Sequence, residues 1–395
     1  MFNITNCVLY LVQQQVYFIT RTLPIIKNKH QKPMSFLKNI FKVGEQPIRS
    51  YADFWTWFQK NEKAFFKVVK EKGDIHKDFF DKLSPKLNEL KDGFYFLTGV
   101  FDEHTVKLVL TADGAIKNIP FVEELVNAGP KVNGWKFTAL KPALDITNVY
   151  IEMGGYKFSD KNIHFYENTS NDFPDEIDIT VLHDDLTQQN KDTIINGIYI
   201  FLDNFIGELN FATTIDNVNI IGKSEAEKEL VPIAKLKDFL AWREKEFIEK
   251  YQGIRHNTEN ETYSGFEATL NNGNPSVAII NTDLLNWDSK ASHPWIMSFE
   301  IKYGGAANNG MPDKKTYQLL DDIENDLLRE LKDFDGRLNI GRETAGNARD
   351  IYFACKDFRK PSIVAYSIIQ KYSNQVDITY DVYKDKYWQS LERFR

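Results

Sequence analysis

The stretch NIGRETAGNARDIYFAC, residues 339–355, decides how the C-terminal half of the chain folds. Apolar residues alternate with polar ones on both sides of Gly346-Asn347, a pair suited to a two-residue turn, so the stretch reads as a β-hairpin. Leu338, Ile340, Ile351 and Phe353 are expected to form its core face. Arg342, Glu343, Arg349 and Asp350 add charge to the same short segment. Pairing of Arg342 with Asp350, or of Glu343 with Arg349, would contribute about 0.2–1 kcal/mol each across the strands.

The pattern extends outward from this hairpin. Upstream, a helix opening at Pro312 carries Leu320, Ile323, Leu327 and Leu331 on one stripe. Before it, Met297, Phe299, Ile301 and Tyr303 alternate as a half-buried strand. Downstream, Ala365, Ile368, Ile369 and Tyr372 face one way along a helix opening at Pro361, and Val376, Ile378, Tyr380 and Val382 alternate in a last strand. The order is β-α-β-β-α-β. A further hairpin, residues 266–280, precedes it with turn chemistry at Asn272-Gly273-Asn274-Pro275.

The N-terminal half reads as two helices (residues 51–73 and about Phe79–Leu90), then β-α-β over residues 94–140 and β-α-β over residues 177–222. Residues 148–167 form an inserted pair of strands in this reading. The fold class is therefore α+β: two ferredoxin-like, split β-α-β modules with antiparallel sheets, each preceded by a helical segment. DFLAWREKEF at 238–247 echoes DFWTWFQKNEKAF at 53–65, which suggests that the modules are related. The expected domains are an extension over 1–33 outside the fold, an N-terminal module over 34–228 and a C-terminal module over 229–395. MSFLKNIFK, from Met34, reads as a natural start.

Composition narrows the function classes. A chain of 395 residues with 42% apolar and 14% aromatic content buries sizeable cores. A net charge of -7 argues against a general polyanion binder. Two cysteines, Cys7 and Cys355, make neither a disulfide framework nor a thiolate metal site, and such sparse use suits a cytoplasmic protein. Residues 1–26 lack the basic start and cleavage site of a signal, and no apolar run is long enough to span a membrane.

No catalytic motif of the common hydrolase, metalloprotease, dinucleotide or calcium-binding types occurs. VLHDD places His183, Asp184 and Asp185 at a strand end, where an imidazole and carboxylates could form a polar site. Adjacent strand residues point to opposite faces, however, so a solvated turn is the simpler reading. Asp203 and Asn204, near the end of an apolar helix with Glu208 just after Gly207, read as a buried hydrogen-bonding pair or a helix cap. GGAANNGMPDKK (304–315) lacks the Lys and Ser/Thr of a phosphate loop. The remaining candidate binding residues are Arg342, Glu343, Arg349, Asp350, Arg359 and Lys360. The basic cluster Lys356, Arg359 and Lys360, beside Arg349, could touch RNA, although the sequence lacks the RNP1 pattern.

RDIYFACKDF, the short helix after it and the ending VDITYDVYKDKYWQSLERF resemble the bacterial domain-of-unknown-function family 695, over residues 262–390. The resemblance implies no chemistry and carries over no site residue. Some relatives resemble proteins that also carry a domain like the regulator of ribonuclease E activity B, which gives ribonuclease regulation only by association. The reading that follows is a cytoplasmic, non-enzymatic protein-interaction or regulatory module, with no catalytic residues, metal or cofactor. Its partner would be another protein or a second copy, not a membrane. The alternatives are an RNA- or ribonuclease-associated regulator and a hydrolase-like enzyme with an unrecognised polar site.

Overall fold

The computed structural model describes residues 47–395, so the extension over 1–33, the start at Met34 and Cys7 lie outside the described residues. The chain divides into two compact units, residues 47–110 with 125–139 and residues 111–124 with 140–395. In chain order the first elements are α1 (Tyr51–Lys70), α2 (Asp81–Leu90), β1 (Tyr95–Val100), β2 (Val106–Thr111), α3 (Ile119–Asn127) and β3 (Trp135–Ala139).

Ser50 caps α1 by accepting from the Asp53 amide, and Asp53 places an acid in the first turn. The core of the first unit is aromatic. Phe54, Trp55, Phe58, Phe65, Phe79 and Phe80 are buried, and Trp55 donates Nε1–H to the Leu125 carbonyl at 2.8 Å. Phe58 meets Trp135 and Phe137 edge-on. Its sheet has the order β1-β2-β3, with β2 and β3 parallel, as a connection through a helix allows.

Next come β4 (Ile151–Met153), β5 (Tyr156–Phe158), β6 (Ile163–Asn168), β7 (Asp178–His183), α4 (Lys191–Ile206), α5 (Glu208–Thr213), β8 (Asn217–Gly222), β9 (Val231–Pro232) and α6 (Leu236–Tyr251). They form a two-stranded hairpin, β4-β5, and a sheet of order β8-β7-β6-β9. Both β-α-β readings of the N-terminal half therefore locate parallel pairs, β2 with β3 and β7 with β8, but the pairs stand in different sheets. Part of the expected insertion is structural instead: β6 pairs with β7 over six residues and buries Ile163 and Phe165. The core here gathers Phe158, Ile179, Val181, Ile198 and Phe201, and α6 adds Leu236 and Leu240.

The last elements are β10 (Tyr263–Thr269), β11 (Pro275–Asn281), α7 (Thr282–Leu285), β12 (Trp295–Lys302), α8 (Lys314–Glu330), β13 (Arg337–Ala345), β14 (Ala348–Cys355), α9 (Arg359–Tyr372) and β15 (Asp377–Lys384). They build a six-stranded antiparallel sheet, β10-β11-β13-β14-β12-β15. α8 and α9 each connect two co-directional strands with one strand between them. The opening hairpin forms as read: Gly346 and Asn347 have φ of +58° and +74°, the left-handed pair that a two-residue turn requires. The loop over 303–310 holds this turn, since the Asn347 amide donates to the Gly310 carbonyl and the Tyr303 amide to the Asn347 carbonyl. α8 opens after Pro312 because Asp313 caps it, accepting from the Thr316 amide.

The single core face expected for the hairpin is corrected. Leu338 and Ile340 join Tyr352 and Ala354 in a core that also takes Trp388, Leu391 and Phe394 from the chain end. Ile351 and Phe353 alternate with Tyr352 and Ala354, so they face the other way and are equally buried. Both faces of this sheet are covered. A bulge between Asn339 and Gly341 changes the alternation along β13, and Gly341 adopts φ of +133° there.

Candidate functional site

The sequence-derived residues separate onto different surfaces. Arg342 and Arg349 lie toward α8. Arg342 Nη1 donates to Glu324 at 2.7 Å. Arg349, only 1% exposed, reaches Asp321 at 2.8 Å and Glu324 at 3.4 Å through Nη1, and Thr344 Oγ1 through Nε. Glu343 and Asp350 occupy the opposite face, directly across from each other in the β13–β14 register. Neither Arg342–Asp350 nor Glu343–Arg349 pairing occurs, because each pair would have to reach through the sheet. Glu343 instead accepts from Arg393 at 2.9 Å and from Ser276 Oγ at 3.0 Å. Burial, with Glu300 and Glu343 adjacent, pushes the Asp350 carboxyl up to about 6.

Arg359 and Lys360 stand at the start of α9. Arg359 makes a two-pronged pair with Glu123, at 2.7 and 2.9 Å. Lys360 lies 3.7 Å from Glu330. Cys355 is buried, and burial raises its thiol well above the usual range.

His183, Asp184 and Asp185 do not converge. His183 is fully buried, its Nδ1 accepting from the Asp185 amide at 3.1 Å, which leaves Nε2–H to donate to the Lys157 carbonyl at 2.9 Å. Asp184 is exposed and pairs with Lys223 at 3.1 Å, and the Asp185 side chain is also exposed. The Asp203–Glu208 region is a buried charge cluster. Glu208 accepts from Thr111 Oγ1 and from the amides of Ala112, Gly114 and Lys141, while Lys141 Nζ meets Asp203 at 2.8 Å. Burial pushes Asp203 up to about 6, against the opposing pull of Lys141.

The feature left most open for a partner is β10. Among the described residues it is the terminal strand of the six-stranded sheet and pairs only with β11. The ladder continues at both ends through backbone bonds from the Thr282 amide to Thr262 and from the Leu270 amide to Asn274. Antiparallel alternation then turns the even-numbered residues inward and leaves the N–H and C=O of Tyr263, Gly265, Glu267 and Thr269 facing outward. No Pro or Lys guards the strand, and Glu267 is its single charge. A Cβ at Gly265 would meet nothing within 4 Å. Beside it, Tyr263 is 47% exposed and Ile279 37% exposed, diagonal neighbours on one face.

Sequence reasoning missed a second feature, a cavity of about 200 Å³ lined by Arg255, His256, Thr258, His293, Asp333 and Lys356 among others. Only Lys356 drew notice in the sequence, as part of a basic cluster. His256 and His293 are 37 residues apart with no recognisable spacing, so folding alone unites them.

Residues 265–394, the C-terminal third, match the model of the Family of unknown function (DUF695). The match begins within β10 and runs through the last strand to Phe394. No curated protein and no solved structure matches the chain.

Proposed function

We propose that the chain is a cytoplasmic, non-enzymatic binding module whose C-terminal sheet accepts an extended segment of another protein along β10. The observation that carries this reading is the unguarded outer edge of β10, with four outward-facing residues around Gly265. An added strand would take up those backbone groups, and its side chains would find Tyr263 and Ile279 exposed beside the edge. We read the sheet as ferredoxin-like, which the β12-α8-β13 and β14-α9-β15 crossovers and the strand order support. A cytoplasmic home fits a chain with only two cysteines. Among the described residues no helix is long and apolar enough to cross a membrane.

The RNA reading draws less support, because Arg342, Arg349, Arg359 and Lys360 all have carboxylate partners. The enzyme reading draws less support, because His183 turns inward and Asp184 and Asp185 outward, while Glu343 lies on the face opposite Arg342 and Arg349.

Affinity capture from the native host, with analytical ultracentrifugation of the isolated chain, tests the proposal. Wild type should retain a partner, or form a dimer, that Gly265→Pro does not. Proline removes an outward N–H and leaves the β10–β11 ladder in place. Equal capture by both forms, or no association by wild type, would overturn it.

A further inference from the structure

The cavity between the segment 255–259, the Asp333–Gly336 turn and Lys356 carries an inference independent of the edge strand. His293 stands at its wall and is 1% exposed. Ser292 Oγ lies 2.6 Å from the Ser289 carbonyl, so its single hydrogen is directed there. The same oxygen lies 2.9 Å from His293 Nδ1 and must accept, which puts the ring proton on Nδ1. Nε2 is then a bare acceptor, and it has no hydrogen-bond partner among the described residues. Burial, with Lys356 and His256 adjacent, holds the imidazole down to about 3, so it is neutral at pH 7.

The charged groups of the lining are two cations, Arg255 and Lys356, and two acids, Glu259 and Asp333. Arg255 has no ion pair among the described residues. Lys356 Nζ donates to the Ile254 carbonyl at 2.6 Å and has no carboxylate partner among the described residues. Burial and the neighbouring Arg255 both depress the Lys356 ammonium, a cost that an anion between the two would relieve. His256 Nε2 is buried without a hydrogen bond, 3.5 Å from Glu261. Trp287 packs against both His256 and His293. The acid on the turn, Asp333, is already engaged by Thr258 Oγ1 and the Phe334 amide.

We propose that this cavity binds a small oxyanion that carries its own O–H. The anionic oxygens would face Arg255 and Lys356, and the hydroxyl would donate to His293 Nε2. Two sources share that chemistry, monohydrogen phosphate and a small α-hydroxy carboxylate. The volume, about 200 Å³, suits a ligand of that size better than a nucleotide.

The test is titration calorimetry of the full chain at pH 8 with inorganic phosphate against sulfate, which has the same charge and shape but no hydroxyl. A second arm sets glycolate against acetate. Phosphate or glycolate should bind with a millimolar or tighter Kd, about tenfold or more tighter than its hydroxyl-free control, since the control offers His293 Nε2 no donor. Binding should weaken about tenfold in Arg255→Ala, an exposed position whose change spares the fold. The His293 Nε2 resonance should also shift on titration in wild type. No binding at tens of millimolar, sulfate binding as tightly as phosphate with acetate equal to glycolate, or indifference to Arg255→Ala would each overturn the proposal.

Discussion

Glu343 and Asp350 face each other directly across β13 and β14, and Glu300 on β12 stands opposite Asp350 on the other side. Three carboxylates thus form a row across neighbouring strands, where like charges are costly. Arg393 and Ser276 relieve Glu343, and Lys302 and Thr379 relieve Glu300. Asp350, between them, has no such partner among the described residues.

The row makes stability depend on pH. Asp350 has a folded-state pKa of about 6, above its ordinary value of 3.8. The folded state therefore holds a proton that the unfolded chain has released, and stability falls as pH rises from about 4 through about 6. Asp350→Asn should raise stability at pH 7.5 by about 1–2 kcal/mol, allowing for partial exposure, and should flatten that part of the pH profile. Urea unfolding at pH 4.5 and pH 7.5 checks both the gain and its pH dependence.

Arg349 separates a buried ion cluster from surface charge. Arg349→Met removes a 1%-exposed guanidinium, leaves Asp321 without its ion pair and Glu324 with Arg342 alone, and should cost about 3 kcal/mol in urea unfolding. Arg359→Ala, which removes a part-exposed pair with Glu123, should cost no more than about 1 kcal/mol. Equal costs would contradict the assignment of these arginines to different environments.

The bulge on β13 depends on Gly341. At φ of +133°, a Cβ would lie 2.2 Å from the Ile279 carbonyl oxygen. Gly341→Ala should destabilise by more than about 2 kcal/mol through steric overlap and backbone strain. Gly265→Ala, with open space around it, should change thermal stability little.

The C-terminal half was legible because its amphipathic periods are clean and its turn residues specific. Gly346-Asn347 announces the hairpin, and Leu320, Ile323 and Leu327 mark the buried stripe of α8. What could not be read was the facing of side chains. The bulge at Ile340–Gly341 shifts the β13 alternation by one residue, which places Arg342 and Asp350 on opposite faces. In α1 Trp55 is buried and bonds Leu125 while Trp57 is part-exposed, a choice between two indoles that helical spacing alone does not make. The allocation of β-α-β units to separate sheets depends on long-range pairing that local periodicity does not encode. The His256–His293 cavity is a product of the same long-range folding.

Residue-resolved hydrogen exchange on wild type, alone and with its captured partner, tests the central claim most directly. The amides of Tyr263, Gly265, Glu267 and Thr269 should exchange rapidly in the isolated chain and become protected in the complex. Those of Ser264, Phe266 and Ala268, bonded to β11, should be protected in both states. A complex in which the four outward amides exchange as fast as in the free chain would contradict strand addition at β10.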